Sequence, residues 1–197
     1  MSDIPTPQST AWQQSDAIEL ENVAVLIVDI LGGDEGTIPE LEAAADNAIS
    51  IVKAARAAGL PVLFCDDAHI PGLDKEIGLW GEHALAGTES AKPLTGFALQ
   101  DSDFVIPKRR YDAFFQTDLD LTLREMGVDT LIVCGFDTNI CVMHTLAGAF
   151  FRGYQTIVPA DACATFLIGT QKDGLTYFSR CFDSRVVSTE AVLSSLS

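Results

Sequence analysis

The sequence predicts an α/β fold: a three-layer α-β-α sandwich with a mostly parallel central sheet, Rossmann-like in topology. Three observations carry this. Residues 23–29 (VAVLIVD) and 130–135 (TLIVCG) are unbroken apolar runs rich in β-branched residues, as in strands buried on both faces. Segments of helical period lie between such runs, so strands and helices alternate along the chain. Crossovers of this kind place successive strands parallel, with helices on both faces.

The elements follow in order. Residues 1–20 are polar, with two prolines, and read as an N-terminal arm; residues 21–197 read as one domain. The first strand ends in Asp29 and then Gly32-Gly33, as expected of a loop at a carboxyl end. In 39–58, Leu41, Ala45, Ala48, Ile49, Val52 and Ala55 form one helical stripe. Pro39 suits its first turn and Gly59 its stop. PVLFC (61–65) is a second strand. Residues 66–103 show little regular pattern and are rich in Gly, His, Asp and Pro; so long an irregular stretch is usually functional. FVIP (104–107) is a third strand, and a helix starts at Thr117 and stops at Gly127. After 130–135, a helix runs from about Thr138 to Phe151 and Gly153 closes it. QTIVPAD (155–161), a helix over 170–181, RVVST (185–189) and a short helix in EAVLSSL complete the alternation.

Composition narrows the function. The chain has 197 residues, 12 positive and 28 negative side chains, and a net charge of −16. The 48% hydrophobic content supplies a sizeable core and excludes intrinsic disorder. The acidic balance argues against nucleic-acid partners. No run reaches the ~18 apolar residues that a bilayer span needs. The polar start MSDIPTPQSTAWQQSD is unlike a secretory signal. Five cysteines without regular spacing fit reduced thiols, and a cytoplasmic location is expected.

Three strand ends carry reactive side chains: Asp29 after the first strand, Lys108 after the third, and Cys141 near a helix start. In a parallel sheet all three reach one crevice. A helix N-terminus and a nearby ammonium lower a thiol's pKa, and a carboxylate can relay its proton. The set makes a nucleophile, a base and an electrostatic partner. Equally, an acid can cap a turn, a lysine can be solvated, and a cysteine can be a small buried hydrophobe.

The segments VLIVDI, DDAH, WGEHALAGTESA, IPKRRYDAFFQTDLD and CGFDTNICVMHTLAGAFFRGY give the chain a family resemblance. The last is the most specific, as G-x-x-T-x-x-C-V followed by T-x-x-x-A-x-x-x-G-Y. The chain resembles the isochorismatase-like cysteine hydrolases, the superfamily of nicotinamidases and N-carbamoylsarcosine amidases, over about residues 23–165. The resemblance implies that Asp29, Lys108 and Cys141 are the catalytic triad. It also implies a cis peptide between Phe136 and Asp137. That bond would aim the Asp137 and Cys141 N–H groups at an oxyanion. Members of the superfamily commonly form dimers, tetramers or rings, so a homo-oligomer is expected.

Two of the three histidines lie in the irregular stretch. Asp67-Ala68-His69 puts an acid and an imidazole on one side of an extended segment, and His83 follows. A carboxylate and two imidazoles suit Zn, Mn or Fe. Nicotinamidases bind a divalent metal through an Asp and two His that match Asp67, His69 and His83. Their D-W-H has Ala68 at its tryptophan, and Ala84 stands where a Cys follows the second His. The D-x-Q-x-x-F that follows their first strand is absent here, so the pocket must differ. Trp80, Tyr111 and Phe115 are candidates to wall it. Arg109 and Arg110 could bind a substrate carboxylate, with at most one pointing inward. Cys65, Cys134 and Cys163 read as inert core thiols, His144 as a packing or surface residue, and GGDEG (32–36) as a turn.

The expected activity is cysteine-dependent hydrolysis of the C–N bond of a small amide through a thioester. An isochorismatase-type vinyl ether hydrolase is the alternative of the same class. A redox-sensing or binding module with a reactive cysteine, resolved by Cys163 or Cys181, is the alternative of another class.

Overall fold

A computed structural model describes Ile18, residues 21–32 and residues 39–197 of the chain. The expected arm and most of the GGDEG turn lie outside the described residues; Ile18 is buried in the core. The sheet has seven strands: β1 (Val23–Val28), β2 (Val62–Asp67), β3 (Phe104–Lys108), β4 (Thr130–Phe136), β5 (Gln155–Pro159), β6 (Cys163–Ala164) and β7 (Arg185–Val187). Their order is β3-β2-β1-β4-β5-β7, with β6 beside the end of β4. Every pairing among these strands is parallel.

Strand alternation builds two cores. Val23, Val25 and Ile27 of β1, with Ile132 and Cys134 of β4, face α1 (Pro39–Ala57) and a C-terminal helix. Ala24, Leu26 and Val28 face the other way, onto Leu119, Leu123, Leu146 and Phe178. Those four side chains come from three later helices. The period of 2 in the strands thus converts unbroken apolar runs into two buried faces.

The later helices are α2 (Lys75–Trp80), α3 (Leu119–Glu125), α4 (Met143–Arg152), α5 (Gln171–Cys181) and α6 (Thr189–Ser195). Several bounds differ from the sequence reading. The second strand runs on to Asp67, because β3 pairs with it through Asp67↔Lys108. The 66–103 stretch contains α2 and two single 3₁₀ turns, elements too short to show a period. The third helix starts at Leu119, with Asp118 preceding it. The helix expected from Thr138 is in two parts: a π-helical turn, Thr138–Val142, leads into α4. Phe150 and Phe151 of α4 stand on the surface, 45% and 76% exposed. Among the described residues no helix is long and apolar enough to cross a membrane.

Gly135 sits where β4 passes closest to β1. A Cβ there would lie 2.2 Å from the Val28 carbonyl oxygen, and its φ is +152°. Only glycine allows this approach. The expected cis peptide before Asp137 is not found, since no described peptide bond is cis. The trans form, favoured by about 3 kcal/mol at a non-proline bond, is kept. Asp137 instead takes an extended conformation and caps the turn through its side chain.

Candidate active site

Parallel pairing delivers the ends of β1, β2, β3 and β4 to one edge of the sheet. Asp29 follows β1 directly, with φ at +53°. A non-glycine residue in the left-handed region costs roughly 1 kcal/mol, and here it turns the carboxylate off the strand path. One Asp29 oxygen, Oδ1, accepts the Asp67 N–H at 2.7 Å. The other, Oδ2, forms an ion pair with Lys108 Nζ at 2.6 Å.

Lys108 closes β3 and is fully buried. Its ammonium also donates to Asp67 Oδ1 at 2.6 Å and to Cys141 Sγ at 3.7 Å. The Asp29 carboxylate, the Asp67 carboxylate and Cys141 Sγ each place an atom within 4.8 Å of the others. The three residues read from the sequence as a triad therefore meet. Asp67, read only as a metal ligand, is a second carboxylate on the same lysine. Its register opposite Lys108 explains why.

Protonation follows from burial and charge. Burial pushes Asp29 up to about 7, Asp67 adds to this, and Lys108 pulls against it. Burial also drives the Cys141 thiol well above its usual value, with Lys108 opposing and Asp29 reinforcing the rise. Loss of water at the sulfur works against the lowering that the helix start and the ammonium were expected to give. Burial works against the Lys108 charge, but Asp29, Cys141 and Asp67 outweigh it and hold its pKa well above the lysine norm. Burial raises Asp67, yet Lys108 and His69 overcome that and leave it below the usual carboxylate value.

Cys141 sits in the π-helical turn. The Asn139 N–H is bound by the Asp137 carboxylate at 2.7 Å. The Ile140 and Val142 N–H groups both reach the Asp137 carbonyl at 3.1 Å. Asp137 also accepts Phe166 N–H at 2.7 Å, Leu167 N–H at 3.0 Å and the Thr165 hydroxyl at 2.8 Å. It thereby ties the loop after β6 to the turn that carries the cysteine.

A cavity of about 420 Å³ opens over these groups. Cys141, Asp29 and Asp67 lie on its floor, and Trp80, Tyr111, Phe166 and Leu167 are among its walls. Trp80 Nε1 donates to Tyr111 Oη at 2.8 Å, so two of the three expected wall residues are joined. Phe115 is a correction. It does not line the cavity and is 49% exposed. Phe114 takes the buried position, stacked on Tyr154, and its neighbour is turned outward. Arg109 is also not free for a substrate, since its guanidinium is bound to the buried Asp74 carboxylate; Arg110 is largely exposed and lies 3.5 Å from the same carboxylate. Hydrogen bonding from Arg109 holds Asp74 well below the usual carboxylate range. His144 is exposed, with Nδ1 at 2.7 Å from the Ile140 carbonyl.

Asp67, His69 and His83 also converge, with one ligand atom from each within 4.8 Å. The His69 ring is fully buried and neither nitrogen has a hydrogen bond. Its Nε2 lies 3.5 Å from Asp67 Oδ2 and 3.8 Å from Glu76 Oε2, itself buried and without a hydrogen bond. Orphaned nitrogen and oxygen atoms aimed at one another fit a divalent cation. Sequence reasoning missed Glu76, Phe166 and Leu167. The i, i+4 pair Glu76 and Trp80 was the available signal for the first, on a helix of only six residues.

An open α/β sheet with a buried Asp-Lys-Cys cluster under a pocket at its carboxyl edge is the architecture of a hydrolase. The family model for the Isochorismatase domain matches residues 23–191, and the chain belongs to the isochorismatase family. The isochorismatase family protein YwoC of Bacillus subtilis is 34% identical over 156 residues, covering 76% of this chain and 81% of that protein. The ureidoacrylate amidohydrolase RutB of Methylobacterium radiotolerans is 40% identical over 131 residues. That match covers 56% of this chain and 51% of RutB, so the chain spans about half of that relative. Among solved structures, N-carbamoylsarcosine amidase from Thermoplasma acidophilum superposes with a TM-score of 0.80 at 32% identity, over 86% of this chain and 97% of that one. Nicotinamidase from Bacillus subtilis gives 0.77 at 26%, over 85% and 99%.

Proposed function

We propose that the protein is a cysteine-dependent amidohydrolase that cleaves the C–N bond of a small amide through a thioester. The observation that carries this reading is Lys108 Nζ at 2.6 Å from Asp29 and 3.7 Å from Cys141, on the floor of a pocket. Asp29 takes the thiol proton as Sγ attacks the carbonyl carbon, and Lys108 stabilises the sulfur charge. The Cys141 backbone N–H receives the developing oxyanion. Asp29 returns the proton to the leaving nitrogen as the C–N bond breaks. Water, deprotonated by Asp29, then splits the thioester to acid and free thiol. A carboxylate with a pKa of about 7 beside the sulfur suits this proton exchange.

Asp67, His69, His83 and Glu76 would hold a Zn, Mn or Fe ion. Such an ion polarises a substrate heteroatom or bound water. Cys141→Ala is expected to lose all turnover with its fold retained, and intact-mass spectrometry of the wild type to show an acyl adduct on Cys141. Full activity of Cys141→Ala would reject the reading; vinyl ether cleavage without an adduct would replace it with isochorismatase-type chemistry. Burial that raises Cys141 and drives Cys163 up to about 12 weighs against the redox-sensor alternative, which needs a low-pKa exposed thiol.

A further inference from the structure

We propose that the substrate's acyl group is uncharged and apolar, and that Phe166 and Leu167 form the wall that selects it. This rests on the amidohydrolase reading and adds the substrate class.

The first support is a census of cations. All 12 Lys and Arg residues of the chain lie among the described residues; positions 1–20 and 33–38 contain none. None of them lines the pocket wall. Lys108 lies beneath the floor and its ammonium is spent on Asp29, Asp67 and Cys141. Arg109 is held on Asp74, and Arg110, whose side chain is 40% exposed, lies 3.5 Å from the same carboxylate and outside the pocket wall. Arg56 is held by Asp103, and Arg185 lines a separate cavity with Thr130 and Gln155 at the amino ends of the strands.

The second support is what the pocket does present. Asp29, Asp67, Glu76, Glu82 and Asp137 give it five acidic side chains. Ser90 and Tyr111 offer neutral hydroxyls. A substrate carboxylate brought here would lose water and meet no lysine or arginine on the wall, and the charge of a divalent ion held by Asp67, His69, His83 and Glu76 would be offset by its own two carboxylates. Besides His83 and Cys141, the remaining surface is apolar: Leu31, Trp80, Phe136, Ile140, Phe166 and Leu167.

The third support is that the outer wall is built rather than draped. Phe166 and Leu167 are 41% and 49% exposed. Their N–H groups are nonetheless both fixed on Asp137. Asn139 Nδ2 adds bonds to the Ile168 carbonyl at 2.6 Å and the Thr165 hydroxyl at 3.0 Å. Asp137, which caps the nucleophile turn, and Asn139 within it thus hold apolar side chains in the wall of the pocket that Cys141 also lines. The fit is to an aliphatic or aromatic carboxamide, and it separates this chain from enzymes named for ureido acids, whose substrates carry a carboxylate.

The test uses the full-length enzyme and amides of similar size: hexanamide and benzamide against succinamate and N-carbamoylglycine. The neutral pair is expected to exceed the anionic pair at least 100-fold in kcat/KM. Equal or better turnover of the anionic pair would overturn the proposal. Leu167→Arg, at an exposed position, is expected to raise kcat/KM for succinamate at least tenfold; a folded variant with no gain counts against it. Binding to Cys141→Ala, read by thermal shift, reports the pocket's preference without chemistry. Stabilisation by hexanamide alone supports the proposal, and stabilisation by succinamate alone sinks it. Loss of the cysteine mechanism shows separately, as turnover that survives Cys141→Ala with the neutral preference intact.

Discussion

Replacing Asp137 by alanine isolates the link between the nucleophile turn and the pocket wall. The carboxylate is buried and accepts four hydrogen bonds: from Asn139 N–H, Thr165 Oγ1, Phe166 N–H and Leu167 N–H. The Asn139 bond is a helix cap, worth about 1 kcal/mol. Each bond from Phe166 and Leu167 to a charged acceptor contributes about 1.5 kcal/mol, and the neutral hydroxyl of Thr165 about 0.5 kcal/mol. The sum is about 4.5 kcal/mol, and water entering the partly exposed loop reduces it to about 3 kcal/mol. Asp137→Asn keeps one acceptor oxygen and turns an amide N–H toward other donors, so it is expected to lose about 2 kcal/mol. Urea unfolding should show a lowered midpoint at unchanged slope, because the surface exposed on unfolding is the same. Hydrogen exchange at the Phe166 and Leu167 amides should accelerate in both variants. A loss below about 1 kcal/mol for the alanine variant, with those amides still protected, would refute the claim that this carboxylate holds the loop.

Other perturbations test separate parts of the site. Lys108→Met leaves Asp29 and Asp67 without their cation; about 3 kcal/mol of stability should be lost in urea, with no acyl adduct on Cys141 by mass spectrometry. Gly135→Ala drives a methyl into the Val28 carbonyl, and a loss of about 3 kcal/mol or outright misfolding is expected by thermal melting. One Zn²⁺ or Mn²⁺ should bind per chain by calorimetry; His69→Ala should abolish it and Glu76→Gln should weaken it about tenfold. Phe115→Ala should leave kcat/KM within about twofold of the wild type, because the ring points away from the cavity.

The order of strands and helices was legible in the sequence because fully buried strands must be apolar on both faces. Residues 23–28 and 130–136 announce themselves for that reason, and the reactive side chains that end them are conspicuous against such runs. Asp29, Lys108 and Cys141 could be named for their type and their place at strand ends. The Cys141 signature, and with it the family, is likewise local sequence. Tertiary structure decided the rest. That Asp67 shares Lys108 with Asp29 depends on the β2–β3 register, which no local pattern encodes. How much water packing removes from the thiol, which pushes its pKa up against the pull of Lys108, is likewise set by the fold. Glu76 comes to His69 through a helix of one and a half turns, and Phe166 reaches the pocket through a carboxylate 29 residues away. Residue type and period are written along the chain, whereas distance between remote side chains and the loss of their water are properties of the packed molecule alone.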